Sequence, residues 1–235
     1  MAGSGRRESR GMDALQANLG RFFRDASLLR QALTHPSAAA EEGLPRIRSY
    51  ERLEFLGDAL LGFALAEFLF DRYPREEEGV LSRLRAYWAS QPVLAGVARE
   101  LGLQACIFLG AGESRDGGAE KDRILASALE ALLGAVYLDA GLRPATALVR
   151  QLWAPAIRRQ GLAVLLEDAK TNLQERRQAE GLPLPVYRSD PSPDEGGFTC
   201  IVLMDGQASG RGSGPTRKAA EQAAAREALS ALDRG

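Results

Sequence analysis

The chain has 235 residues, 45% of them hydrophobic and 26% charged, with a formal net charge of −1. That length suits one large domain or two smaller ones of ordinary soluble composition. Near-neutral charge excludes a chain-wide basic coat, so any nucleic-acid role must rest on local patches. No apolar run approaches the roughly 20 residues that a membrane span needs.

In chain order, the first dozen residues, MAGSGRRESRGM, are small and polar and lack the apolar centre of a signal peptide. They read as a disordered tail over 1–12 of a cytoplasmic protein. From there to about residue 166, apolar residues recur at three- and four-residue spacing in ASLLRQAL, LEFLGDALLGFALAEFLF, VLSRLRAYWASQPVLAGVARELGL and ILASALEALLGAVYLDAGL. This is the helical period. Breaks are expected at Pro45, at RYPREEEG and at GAGESRDGG, with Pro144 opening the next helix. The two cysteines, Cys106 and Cys200, lack metal-ligand spacing and read as buried free thiols.

After about residue 167 the texture changes. AKTNLQERRQAE predicts a short helix; PVYRSD, FTCIVLMDG and QASGRGSG predict three short strands separated by Gly, Pro and Asp turns; TRKAAEQAAAREALSAL predicts a closing helix. The expected fold class is therefore an all-α domain followed by a small α+β domain of order αβββα. Residues 168–235 carry 9 basic and 10 acidic side chains, so this part is not basic overall.

Within ERLEFLGDAL, Glu51, Glu54 and Asp58 fall within about 60° of one another around a helix that turns about 100° per residue. Clustered carboxylates repel and raise one another's pKa values, which a divalent cation with oxygen ligands relieves. The alternative is an exposed acidic stripe with Arg52 or another arginine as counter-ion. Glu130 lies in the most apolar run of the chain, with Ser127 on the same face three residues earlier, and Glu78 precedes Gly79 in a further helix. Acids converging from several helices in a dry interior would suit metal-assisted phosphodiester hydrolysis. His35, the only histidine, could act as a general base, but at a helix end within LTHPS it reads as structural.

ERLEFLGDALL resembles the signature of the ribonuclease III family, as do LTHPS, EGVLSRLRA and ILASALEALLGAVYLD; DAKTNLQE with GSGPTRKAAEQAAA resembles a double-stranded-RNA-binding domain. The resemblance covers nearly all of residues 13–232, in the family's bacterial order. It implies an endonuclease domain over 13–160 and an RNA-binding domain over 167–235. It also implies a homodimer that cuts double-stranded RNA with Mg²⁺, Mn²⁺ being able to substitute. Cutting would leave 5′-phosphate and 3′-hydroxyl ends with short 3′ overhangs, in RNA maturation that includes ribosomal RNA precursors. By position, Asp58 and Glu130 match catalytic acids, Glu54 joins them as a metal ligand, and Glu51 and Glu78 match supporting acids. Phe55 matches an aromatic that docks on the partner subunit, whereas periodicity alone would make it core.

Two positions depart from the resembled pattern. Ser127 stands where aspartate is usual, and a neutral hydroxyl reaches a cation at most through a water. Asp122 cannot replace it, being about 140° away around the helix. A catalytically weakened or inactive dimeric RNA-binding protein is thus the alternative function. Tyr50 stands where asparagine is common. In the C-terminal part, Thr171, Gln174 and Glu175 share a helix face suited to 2′-hydroxyls, and Thr216, Arg217 and Lys218 open a helix where amides and cations favour phosphate. The segment DPSPDEGG carries three acids, which makes minor-groove contact there doubtful.

Overall fold

Helical periodicity in the first two thirds of the chain becomes a helical unit, and the period-two stretches become a single small sheet. The computed structural model describes residues 2–166, 169–192 and 197–232. It separates into two compact units, Met1–Arg159 and Gln160–Gly235.

The first unit contains α1 (Ala2–Leu19), α2 (Ala26–Ala32), α3 (Pro36–Glu41), α4 (Glu51–Arg72), α5 (Glu78–Trp88), α6 (Gln91–Leu101), α7 (Ala111–Arg115), α8 (Asp122–Ala140) and α9 (Leu142–Gln160). Helix α8 forms the centre, with Ile124, Leu125, Leu129, Leu132, Leu133 and Val136 fully buried. Against it lies α4, which buries Leu53, Leu61, Leu65 and Leu69. Trp88 and Trp153 close one side of the core, the Trp153 indole donating to the Trp88 carbonyl at 2.9 Å. The LTHPS segment is fixed at the start of α4: Thr34 bridges Phe108 in parallel, and the Tyr50 amide donates to the Thr34 carbonyl at 2.9 Å.

Two expectations are revised here. The backbone is helical from Ala2, where a disordered tail over 1–12 was expected. Leu15 and Leu19 are buried and anchor the helix, which continues toward the N-terminus through Arg6, Arg7, Glu8 and Arg10 against the helix-weakening Gly3, Gly5 and Gly11. VLSRLRAYWASQPVLAGVARELGL forms two helices, because the chain turns at Ala89 and Ser90 and Pro92 sits in the first turn of α6.

The second unit contains α10 (Ala163–Leu166), α11 (Ala169–Ala179), strands β1 (Val186–Ser192), β2 (Gly197–Met204) and β3 (Gln207–Gly214), and α12 (Arg217–Leu232). The sheet is antiparallel in the order β1-β2-β3. Pro191 is tolerated because β1 is an edge strand. Asp205 and Gly206, both at positive φ, make the two-residue β2–β3 turn. One face of the sheet packs on α11 and α12 through Ala169, Leu173, Cys200, Val202, Ala220, Ala224, Ala225 and Ala228. Of the acidic segment DPSPDEGG, residues 190–192 and 197 are strand, and 193–196 lie outside the described residues.

Candidate active site

Helices α4 and α8 touch backbone to backbone. A Cβ on Gly57 would fall 1.7 Å from the Glu130 carbonyl oxygen, and one on Gly134 would fall 2.3 Å from that of Leu53. Two glycines inside apolar helices, each costing about 1 kcal/mol against alanine, are thus explained by close approach. The crossing point is Glu130 itself. It sets Glu54 and Asp58 of α4 beside Ser127 and Glu130 of α8.

Burial pushes the Glu130 carboxyl up to about 7, and the negative charges of Asp58 and Glu54 add to the rise. Those three carboxyls therefore share one electrostatic site. The site is not the dry interior expected from the apolar sequence around it: Asp58 is exposed, and Glu54, Ser127 and Glu130 are half-buried. The helices bury their leucines on the faces next to the acids, and the acids line the rim of the crossing.

The remaining predicted residues take distinct places. Ser127 donates its hydroxyl hydrogen to Oε1 of Glu54 at 2.7 Å. Glu51 is paired with Arg46, whose Nε lies 2.6 Å from Oε2, and the buried Ser49 hydroxyl adds a longer contact at 3.3 Å. Hydrogen bonding to Arg46 holds the Glu51 carboxyl below its usual range. The counter-ion weighed for the acidic stripe is thus Arg46, brought round by a 3-10 turn at Arg46–Arg48. Glu78 is exposed in the first turn of α5 and accepts from the Ser82 hydroxyl at 2.6 Å. Asp122 is engaged by Arg99 at 2.6 Å. Among the described residues, no three His, Cys, Asp or Glu side chains converge closely enough to enclose a metal ion.

His35 caps α3, its Nδ1 accepting from the Ser37 amide at 3.1 Å, and its ring meets Tyr50 edge-on at 5.6 Å. Burial lowers its pKa. This is the structural role read from its position. Phe55 is 81% exposed, against the core placement that periodicity alone would give. Beside it on α4 lies an apolar hollow of about 270 Å³ lined by Leu56, Ala59, Leu60, Phe63, Tyr137 and Leu142.

In the second unit, Thr216 caps α12 by accepting from the Ala219 amide at 3.2 Å. Arg217 lies 3.3 Å from Glu221, which also takes Lys170 at 2.5 Å. The Lys170 amide donates to Gln222 at 3.1 Å, so the start of α11 is fixed against the first turns of α12. Lys218 is exposed and forms no ion pair among the described residues. On α11, Gln174 and Glu175 are exposed and Thr171 is half-buried, opposite the buried Leu173.

Comparison with known proteins agrees with this architecture. Residues 25–157 match the model of the family described as ribonuclease-III-like, and residues 169–232 match the double-stranded RNA binding motif. Ribonuclease 3 of Pelotomaculum thermopropionicum is 42% identical over 94% of this chain and 93% of its own. Ribonuclease 3 of Methylococcus capsulatus is 46% identical over 95% and 96%. Among solved structures, the nuclease domain of ribonuclease III from Campylobacter jejuni superposes with a TM-score of 0.56 at 38% identity, covering 60% of this chain and 94% of that one. One report of that domain describes structural flexibility in a region involved in dimer formation. With a helical nuclease unit that carries paired acids at a helix crossing and a C-terminal double-stranded-RNA-binding domain, the chain belongs to the ribonuclease III family of endoribonucleases.

Proposed function

We propose that the chain hydrolyses double-stranded RNA with Mg²⁺, Mn²⁺ being able to substitute, and leaves 5′-phosphate and 3′-hydroxyl ends with short 3′ overhangs. It acts as a cytoplasmic homodimer in RNA maturation, with ribosomal RNA precursors among its substrates. The observation that carries this reading is the meeting of the Asp58 and Glu130 carboxyls at the Gly57–Gly134 crossing, with Glu130 raised to about 7 by burial and by its acidic neighbours.

The donor set fits the cation. Mg²⁺ keeps several waters and takes one or two protein carboxylates, so a pair suffices where a closed cage of three is absent. When bound, a divalent cation supplies an activated water and offsets charge developing on the phosphate. The residues do the rest. Asp58 and Glu130 supply hard oxygen donors, and the exposed position of Asp58 leaves room for the backbone of a duplex. Glu54 is oriented by Ser127. Glu51 and Glu78 support the site as acids of the first turns of α4 and α5. On the second unit, Thr171, Gln174 and Glu175 face 2′-hydroxyls, and Thr216, Arg217 and Lys218 face phosphate.

Homodimerisation is supported by Phe55 and the hollow next to it on the same face of α4. Under a twofold axis each copy presents both a projecting ring and a receiving hollow, as an isologous interface requires. One site cuts one strand, and two related sites cut both.

The second reading is an inactive duplex-binding dimer. It is favoured by the neutral Ser127, whose one hydrogen goes to Glu54. Incubation of the purified chain with a perfect RNA duplex and Mg²⁺ separates the two. We expect cleavage, its abolition by Glu130→Gln with duplex binding retained, and a lower Mg²⁺ half-saturation for Ser127→Asp. An uncut duplex at ample Mg²⁺ or Mn²⁺ would leave only the binder.

A further inference from the structure

Glu221 of α12 is held from three elements at once. Its Oε2 accepts from Nζ of Lys170, on α11, at 2.5 Å. Its Oε1 lies 3.3 Å from Nε of Arg217, at the start of α12, and accepts from the Ser189 hydroxyl of β1 at 3.4 Å. The side chain is 15% exposed. Lys170 is fixed further: its ammonium lies over the Tyr187 ring of β1, 4.5 Å from the centroid, and its amide donates to Gln222 at 3.1 Å. Hydrogen bonding to Lys170 holds the Glu221 carboxyl below its usual range.

A carboxylate is out of place on a surface that meets phosphate only through charge, because it offsets the cations beside it. Its position gives the reason. Lys170 directly precedes Thr171 on the face of α11 that carries Gln174 and Glu175, and Arg217 stands between Thr216 and Lys218 at the start of α12. Glu221 bridges the two cations. It therefore gauges the distance between the groups that face 2′-hydroxyls and those that face phosphate. That distance is what separates the two kinds of duplex. RNA has a wide, shallow minor groove and a narrow major groove, whereas B-form DNA has a narrow minor groove and a wide major groove.

We propose that Glu221 is a positioning residue that sets the preference for duplex RNA over duplex DNA, by tying the start of α11 to the start of α12 through Lys170 and Arg217. The inference rests on the RNA-facing roles of those two helices given above.

Glu221→Gln keeps the shape of the side chain and removes its charge. Fluorescence anisotropy titrations of the full-length chain in chelator read binding without cleavage. The probes are labelled RNA and DNA duplexes of one sequence, about 20 base pairs long, which accommodates a footprint of about 16. We expect Glu221→Gln to lower RNA affinity roughly 3- to 10-fold, the net contribution of about one hydrogen bond. DNA affinity should hold or rise, because a negative charge has left a phosphate-facing surface. Lys170→Met cuts the same link from α11 and should also lower the RNA-to-DNA ratio. The double variant should lower it no further than the stronger single change. RNA and DNA affinities that fall by the same factor in Glu221→Gln would make the residue a structural support only and overturn the positioning role, as would ratio losses that multiply in the double variant. A natural chain without preference for RNA would overturn this inference and the reading of α11 together; a preference that survives intact in Glu221→Gln would overturn this inference alone.

Discussion

Glu130 is the residue on which burial and charge act together. Its carboxyl is raised from 4.5 to about 7, first by burial and then by Asp58 and Glu54. The folded chain thus holds this proton more tightly than the unfolded chain does. Between about pH 4.5 and 7 the unfolded state binds fewer protons, so the site costs stability progressively as pH rises, and the full cost is present above about 7. Glu130→Gln carries no such titration. In chelator, its melting temperature should equal that of the natural chain near pH 4.5 and exceed it increasingly toward pH 7.5, a gap that added Mn²⁺ should narrow. A constant gap across the range would show that Glu130 is not held protonated. The isolation of this glutamate in an apolar run was visible in the sequence. The partners of its neighbours were not: Arg46 reaches Glu51 only because a 3-10 turn brings it round, and Ser127 meets Glu54 only across two helices.

At the scale of elements, the α4–α8 contact governs the site. Any side chain on Gly57 would meet backbone, which cannot rotate away as a flexible side chain can. Gly57→Ala should therefore cost about 1–3 kcal/mol, toward the upper end, and should also weaken Mn²⁺ binding by moving Glu54 and Asp58 away from Glu130. Thermal denaturation and a cation titration check the two effects, and an unchanged melting temperature would contradict the close contact. Strong periodicity made both helices legible, and the Asp-Gly pair made the β2–β3 turn legible. The depth of the crossing was hidden, because a glycine inside a helical pattern marks close packing without naming the partner. The helical start of α1 was missed for a related reason: its anchors, Leu15 and Leu19, lie after the stretch that reads as tail.

For the whole molecule, the deciding feature is the exposed aromatic face of α4. Phe55 is 81% and Phe63 52% exposed, and an apolar face of that kind marks a binding surface. With the homodimer proposed above, Phe55→Asp should raise the dimer dissociation constant at least about 30-fold, as for a central interface aromatic. Sedimentation across a concentration series reads this directly, and an unshifted profile would remove Phe55 from the interface. The resemblance pointed to this role, whereas helical spacing alone pointed to the core, because a ring destined for a second copy of the chain has the same period as one destined for its own interior.

The bare meeting of α4 and α8 has one more consequence. The gap between the acids is gauged by main-chain atoms in hard contact, not by the bulk of the leucines around them. Replacing those leucines can therefore make the protein hardier or more fragile in heat while the ruler between the acids keeps its length. Those leucines can thus tune heat resistance without moving the acids, whereas a change at Gly57 alters both.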